Sequence, residues 1–297
     1  MTADARLLCI VGPTASGKSA LALGLARELG GEILSADSMQ IYRGFDIGTG
    51  KPSAEERQQV PHHLLDVAEP LENWDAARWA SEASRLIAEV RGRGRVPIVC
   101  GGTFLWVRAL IYGLAEAPRG DDELRARHRV WAEREGRAAL HARLAEVDAP
   151  SAARLAPNDF VRVSRALEVF ELTGTPLSQL QSAHGFREPR FAVRLLGVER
   201  QRAEQDQLIA TRVRAMLAAG WVREVEGLIA AGQGEARAMQ SVGYRQIFEA
   251  LTAGKASGDD VLSEAIVRAT RVFARRQRTW LRDQLVEWLP AGATKLP

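Results

Sequence analysis

Residues 7–19 read LLCIVGPTASGKS. The five apolar residues Leu7, Leu8, Cys9, Ile10 and Val11 suit a buried strand, and a helical pattern runs from Lys18 to Leu29. Between them Gly12, Pro13, Thr14, Ala15, Ser16, Gly17, Lys18 and Ser19 fit the spacing G-x-x-x-x-G-K-[ST]. Strand, glycine-rich turn and helix in that order make a P-loop. Its glycines let backbone N–H groups wrap a phosphate, the helix N-terminus adds its dipole, Lys18 adds a point charge, and the Ser19 hydroxyl is a ligand for Mg²⁺. The expected occupant is a phosphate chain, that of a nucleotide such as ATP or that of a diphosphate. The motif does not say what is done to it.

Outward from this loop, short apolar runs at 7–11, 32–36, 63–67 and 96–100 alternate with helical patterns at 18–29, 75–91 and 103–112. Such alternation predicts βαβ units in a parallel sheet, with ligands at the carboxyl ends of the strands. After Pro118 no strand-like run occurs until 191–198 (FAVRLLGV), which is placed to rejoin the sheet. The stretch between has helical periodicity at 121–135, 137–146 and 159–173, with Asn158 or Asp159 as N-cap and Gly174 as stop. A long helix is expected over 259–283, then a short apolar VEWL at 286–289 and a frayed tail after Pro290. The fold class is α/β: a P-loop NTPase-like, mostly parallel sheet flanked by helices, with an inserted all-helical subdomain. Residues 1–117 form the first part of the core, 118–190 the insertion, and 191–297 the completion of the core with a basic C-terminal helix.

The 297 residues, 46% hydrophobic and 26% charged, are ordinary for a globular protein with one large core or a core and a satellite. No apolar run approaches the roughly 20 residues needed to cross a bilayer, so no membrane partner is expected. The apolar strand begins at Leu7, just after Asp4, which argues against a cleaved targeting peptide. Cys9 and Cys100 each lie in or at the end of an apolar run, the pattern of buried thiols in a reducing, cytoplasmic compartment. The five histidines lack zinc-site spacing, so any metal is expected to have oxygen ligands. A monomer is expected.

Two other strand ends carry chemistry. The second is followed by Asp37, Ser38, Met39 and Gln40, a carboxylate, a hydroxyl and an amide at the ligand edge. Asp37 there is either a general base or a turn former. The fourth strand ends in Gly101, Gly102 and Thr103, where the glycines permit close backbone approach and the threonine is a reaction-site hydroxyl or the N-cap of the next helix. A phosphoryl-transferring ATPase usually ends an apolar strand in a Mg²⁺-binding aspartate; the best such strand here ends in Cys100 and glycines, with Asp66 as a substitute. Phosphoryl transfer stays open on these spacings.

Arginine supplies 36 of the 40 basic residues and the net charge is only +3, so distribution matters more than total charge. Arg268, Arg271, Arg275, Arg278 and Arg282 follow steps of three and four and share one helical face, with Leu262, Ile266, Ala269, Phe273 and Trp280 expected on a packed face. With Arg276 this makes six arginines in 15 residues and no acidic residue among them. A solvated face is one reading, a polyphosphate partner such as nucleic acid the other. Trp74, Trp79, Trp106 and Trp131 lie in helical patterns that suit core packing.

GPTASGKS, ADSMQIYRGFDIGTGKPS, PHHLLDV, GGTFLWVRAL, RALEVFELTGTPLS, VGYRQ and ARRQRTWLR occur in this order over nearly the whole chain. Together they resemble the tRNA dimethylallyltransferase (tRNA isopentenyltransferase) family of bacterial type, and the DS-x-Q and RQ-x-TW elements are more specific than the P-loop. Gly50 and Trp106 depart from the commoner alanine and tyrosine, and Gln240 stands where some members have arginine.

The resemblance implies that the P-loop holds dimethylallyl diphosphate with Mg²⁺ as cofactor, and that the acceptor is N6 of the adenosine 3′ to the tRNA anticodon. It implies Asp37 as the base at N6, with Thr103 beside the leaving diphosphate and Lys18 stabilising it. The helical insertion would grip the anticodon stem-loop. By motif match, the tRNA contacts fall at Asp37, Ser38, Met39 and Gln40, at Thr103, at Arg125, and at Val161, Arg162, Val163, Ser164 and Arg165. Further contacts fall at Gln240, Ser241, Val242, Gly243, Tyr244 and Arg245, and at Arg275, Arg276, Gln277, Arg278, Thr279, Trp280, Leu281 and Arg282. Gln40 is placed to help read the extruded base. The competing classes are a P-loop small-molecule kinase, in which Asp37 deprotonates a hydroxyl, and a non-catalytic RNA-binding protein.

Overall fold

The structure, a computed structural model, describes residues 6–254, 260–282, 284–293 and 295–296. The chain opens with β1 (Leu7–Val11), buried at all five positions, and α1 (Lys18–Leu29), which starts from Gly17 and stops at Gly30, both left-handed. Then come β2 (Gly31–Ser35), α2 (Ala54–Gln59), β3 (His62–His63), α3 (Ala76–Gly92), β4 (Val96–Gly101) and α4 (Phe104–Tyr112). Asp75 caps α3, accepting from the Arg78 N–H, and Ser53 with Glu56 forms a capping box on α2.

Contacts divide the chain into two units. One runs to Ile111 and resumes at Arg190; the other is Tyr112–Pro189. The second consists of α5 (Asp122–Glu135), α6 (Arg137–Val147), α7 (Ala149–Arg154), α8 (Phe160–Thr173) and α9 (Leu177–His184). Leu140, Leu144, Val163, Ala166 and Leu167 make its core. Asp159 caps α8, and Gly174 ends it in the left-handed conformation.

The first unit resumes with β5 (Val193–Val198), α10 (Arg202–Ala218), α11 (Trp221–Ala230), α12 (Tyr244–Thr252), α13 (Asp260–Leu281) and β6 (Glu287–Leu289). Its strands lie in the order β3-β2-β4-β1-β5-β6, and every neighbouring pair is parallel. Parallel pairing buries both faces, which accounts for the unbroken apolar runs of β1 and β4. Leu8, Ile10, Leu21, Leu25, Ile98 and Leu196 pack one side of the sheet against α1. After β4 the sheet grows on the far side of β1, so the P-loop sits where strand order switches, the crevice that open α/β sheets offer to ligands.

Several expectations are corrected. The run 63–67 yields strand only at His62–His63, because Leu64 (φ 61°) and Asp66 (φ 55°) turn the chain into the left-handed region. Asp66 is no metal ligand here: its carboxylate binds Lys51 Nζ at 2.5 Å and Arg57 Nη1 at 2.8 Å. The tail after Pro290 is tied down at two of its described residues, since Ala293 and Leu296 pack against the sheet core. The packed face of α13 is set by Leu262, Ile266, Val267, Ala274, Gln277 and Leu281, whereas Phe273 and Trp280 are 43% and 40% exposed. The expected ends of that helix, Asp259 and Asp283, lie outside the described residues. Trp74, Trp79 and Trp106 are core residues; Trp79 stacks on Trp106 at 5.3 Å and donates its indole N–H to the Ser35 carbonyl at 3.0 Å. Trp131, half-buried, packs against the core of the second unit under the Arg143 guanidinium.

Candidate active site

Three adjacent strands, β2, β4 and β1, bring their carboxyl ends together. The Ala36 N–H donates to the Cys100 carbonyl (2.8 Å), and the Thr103 N–H donates to the Ala36 carbonyl (3.1 Å). The loops meet this closely because Gly101 has no side chain; a Cβ there would collide with the Ala36 backbone. The Thr103 hydroxyl accepts from the Ser38 N–H (3.0 Å) and faces the Ser38 hydroxyl (3.3 Å), so its side chain joins the two strand ends while its carbonyl starts α4, accepting from the Trp106 and Val107 N–H groups. Asp37 serves as the turn former through one oxygen, which accepts from the Met39 N–H at 2.9 Å. Its other oxygen has no hydrogen-bond partner among the described residues.

These strand ends open on a cavity of about 710 Å³. Lys18, Ser19, Asp37 and Thr103 line it, with Leu23, Ile33, Met216 and Phe273 as apolar wall. Burial lowers the pKa of Lys18, while Cys100 and Asp37 pull it back up and Arg212 pushes it down. Burial likewise raises the Cys100 thiol to about 11, with Lys18 opposing. Both cysteines are free and buried.

Arg212 of α10 also lines this cavity and escaped sequence reading. Burial lowers its pKa and Asp37 raises it, and its guanidinium has no hydrogen-bond or ion-pair partner among the described residues. It packs against Gly50, where a Cβ would clash with it. One arginine among 36 in a helix without a motif gives no signal that singles it out.

The residues matched to tRNA contacts separate by burial. Ser38 and Met39 line the cavity, as do Gln240, Ser241 and Val242. Gln40 also lines it, but its amide is occupied: Oε1 accepts from the Ser35 hydroxyl (2.9 Å) and Nε2 donates to the Thr49 and Gly50 carbonyls (3.2 Å each). It fixes the 49–50 turn and is not free to read a base. Gly243 and Tyr244 are buried; the Tyr244 hydroxyl donates to Glu224 Oε1, whose carboxylate also accepts from the Asp46 and Ile47 N–H groups. Tyr244 therefore holds the 46–48 loop instead of facing outward. Arg245 is exposed.

On α13, Arg275, Arg276 and Thr279 are exposed, as is Arg282 in the turn just after it. The guanidiniums of Arg275, Arg276 and Arg282 have no ion-pair partner among the described residues, whereas Arg271 approaches Asp206 of α10 at 4.0 Å. Gln277 and Leu281 are buried at 6% and 4% exposure, Gln277 lining the cavity, and Arg278 is half-buried with its guanidinium on Gln205. In the second unit Val161 and Arg162 are exposed, but Val163 and Ser164 are buried, the Ser164 hydroxyl lying 2.9 Å from His128 Nδ1. Arg125 and Arg165 both bind Glu168, a carboxylate with no exposed surface.

With this geometry in hand, comparison with known proteins decides the class. The family model described as IPP transferase matches residues 40–284. The chain belongs to the IPP transferase family. It is 60% identical to the tRNA dimethylallyltransferase of Sorangium cellulosum over 97% of this chain and 91% of that one. The crystal structure of the full-length tRNA isopentenylpyrophosphate transferase from Bacillus halodurans superposes with TM-score 0.70 at 34% identity, over 97% of this chain and 90% of that one. A eukaryotic dimethylallyltransferase, whose crystallographic snapshots show it acting on tRNA, gives TM-score 0.77 at 27% identity over 96% of this chain and 74% of that one. Membership makes the chain an enzyme, a prenyltransferase, in place of a small-molecule kinase or a non-catalytic RNA binder.

Proposed function

We propose that this chain transfers the dimethylallyl group of dimethylallyl diphosphate to N6 of the adenosine 3′ to the anticodon of tRNA, releasing diphosphate. The observation that carries the reading is a carboxylate oxygen on Asp37, without a hydrogen-bond partner among the described residues, lining the same cavity as the P-loop lysine. An adenine amine is a weak nucleophile because its lone pair is delocalised, and an allylic diphosphate ionises readily once its departing charge is stabilised. Lys18, the P-loop amides and Arg212 supply that stabilisation as the allylic C–O bond breaks. Asp37 accepts the N6 proton as the new C–N bond forms, and the Thr103 hydroxyl, fixed to Ser38, borders the path between the two. The apolar wall of Leu23, Ile33, Met216 and Phe273 suits a five-carbon prenyl group.

The residues present fit Mg²⁺: the Ser19 hydroxyl is an exposed hard oxygen donor at the start of α1, lining the cavity beside Lys18. Ser19 would hold the ion against the diphosphate, where it would neutralise charge. The exposed Arg275, Arg276 and Arg282, the Gln240, Ser241 and Val242 segment, and Val161 with Arg162 in the helical unit are the surfaces we assign to the anticodon stem-loop. A tRNA substrate supports a cytoplasmic location. Incubation with tRNA and dimethylallyl diphosphate should add one isoprenyl unit to an anticodon-loop fragment by mass spectrometry. Consumption of ATP on a small alcohol, with no mass added to tRNA, would overturn the proposal.

A further inference from the structure

Both backbone polar groups of Thr14, inside the P-loop, are held by side chains distant in sequence. The Thr14 N–H donates to Gln277 Oε1 at 2.8 Å, and the Thr14 carbonyl accepts from Gln205 Nε2 at 2.6 Å. Each glutamine is itself anchored at its other end. Gln277 Nε2 donates to the Gly102 carbonyl at 3.0 Å, so near that a Cβ on Gly102 would collide with the amide. Gln205 Oε1 accepts from Arg278 Nε at 3.0 Å and from Arg278 Nη2. Both glutamines are buried, at 6% and 1% exposure. A buried amide whose donor and acceptor are both engaged has one arrangement, and moving either partner leaves a desolvated polar group unpaired.

The bracket joins α10, α13, the P-loop and the turn before Thr103. Its outer end is Arg278, in the same basic segment whose exposed arginines we assign to tRNA. Thr14, Gly102 and Gln277 line the cavity of Lys18 and Asp37, whereas Gln205 and Arg278 stand behind it. We propose that Gln205, Gln277 and Arg278 are positioning residues for the diphosphate cradle: they fix Thr14 against Gly102, and Arg278 serves the cradle instead of a tRNA phosphate. This deepens the proposed function and rests on its reading of the P-loop as the diphosphate site.

The test uses the full chain in four variants matched to wild type by circular dichroism: Arg278→Gln, Gln277→Met, Gln205→Glu and Lys18→Ala. Dimethylallyl diphosphate affinity and KM are measured separately from tRNA affinity across a salt series. Arg278→Gln and Gln277→Met should each weaken donor binding about tenfold, the effect of one or two buried hydrogen bonds, with a smaller change in kcat and an unchanged tRNA salt slope. Gln205→Glu keeps an acceptor for Arg278 but cannot donate to Thr14, so it should weaken the donor alone. If Gln277→Met does not fold, Arg278→Gln decides. Overturning results are a salt slope flattened by about 0.7 to 0.9 in Arg278→Gln with donor affinity unchanged, the mark of one phosphate contact, or wild-type donor affinity in all three bracket variants while Lys18→Ala weakens it. Wild-type donor affinity in Lys18→Ala itself would remove the P-loop reading, and the bracket with it.

Discussion

Replacing Arg275 and Arg282 together by glutamine should weaken tRNA binding through charge alone. Both are exposed, lie seven residues apart in α13 and the turn that follows it, and have no ion-pair partner among the described residues. Glutamine keeps part of the stem and much of the helix propensity, so a folding defect is not built into the test. If each guanidinium meets one phosphate, the slope of log affinity against log salt should flatten by about 1.4 to 1.8, from roughly 0.7 to 0.9 per contact. Between about 50 and 200 mM salt that difference corresponds to about tenfold: wild type should lose tenfold more affinity than the double variant over this interval. Adding Arg278→Gln should not flatten the slope further, because that guanidinium is engaged by Gln205. Filter binding or fluorescence anisotropy with an anticodon stem-loop across the salt series reads this directly. A wild-type slope in the double variant would mean that the stripe is only solvated and that the RNA surface lies elsewhere.

Asp37→Asn should keep the turn, since its amide oxygen still accepts from Met39, yet slow single-turnover transfer by about 10² to 10⁴; near-wild-type chemistry at saturating substrates would reduce Asp37 to a turn residue. Lys18, held by burial below its ordinary 10.5, gives up its proton at lower pH than a free lysine, and a bound diphosphate reverses that shift. Donor affinity should therefore fall as pH rises toward 10.5, and calorimetry in two buffers across that rise should show proton uptake on donor binding that Lys18→Ala abolishes; heats independent of the buffer would contradict this. For Glu168, burial pushes the carboxyl up, but Arg165, the Asp121 N–H and Arg125 overcome it and hold it below the ordinary 4.5. Its contribution to stability is thus complete above 4.5 and is lost as pH falls through the lower, folded value. Glu168→Ala should cost about 3 kcal/mol in urea unfolding at neutral pH by leaving Arg165 uncompensated and Arg125 with only Asp122 at 3.8 Å; a loss under 1 kcal/mol would show that the pairing is dispensable.

The sheet and the reacting edge were legible because parallel strands state themselves as unbroken apolar runs, and the residues after each run collect at one edge. Asp37 and Thr103 could be put beside the P-loop on that ground alone, and the Ser38 to Thr103 hydrogen bond shows how the edge closes. The direction of side chains within a motif was hidden. In α13 apolar residues fall on two neighbouring faces, one through Phe273 and Trp280 and one through Ala274 and Leu281 that also carries Gln277, and only the partners on α10 and the P-loop select the second. A glutamine among arginines reads as surface, yet Gln277 is buried because two backbone groups, Thr14 N–H and Gly102 C=O, are there to satisfy its amide. Arg212 was invisible for the opposite reason: its helix carries no motif, and its role comes from the cavity it meets.

That hidden orientation changes how loss of function in the segment ARRQRTWLR should be interpreted. Its exposed arginines and its inward pair, Gln277 and Arg278, alternate within eight residues, so substitutions one position apart act on different substrates. Arg276 and Arg278 make the point: both are arginines and both lie in the basic segment, yet one guanidinium is exposed without an ion-pair partner among the described residues and the other is bound to a buried amide two hydrogen bonds from the P-loop backbone. Turnover alone cannot separate them, since losing either lowers transfer at limiting substrate. The separation requires the two affinities measured independently, because electrostatic contact with RNA follows salt and a hydrogen-bonded bracket around the diphosphate does not.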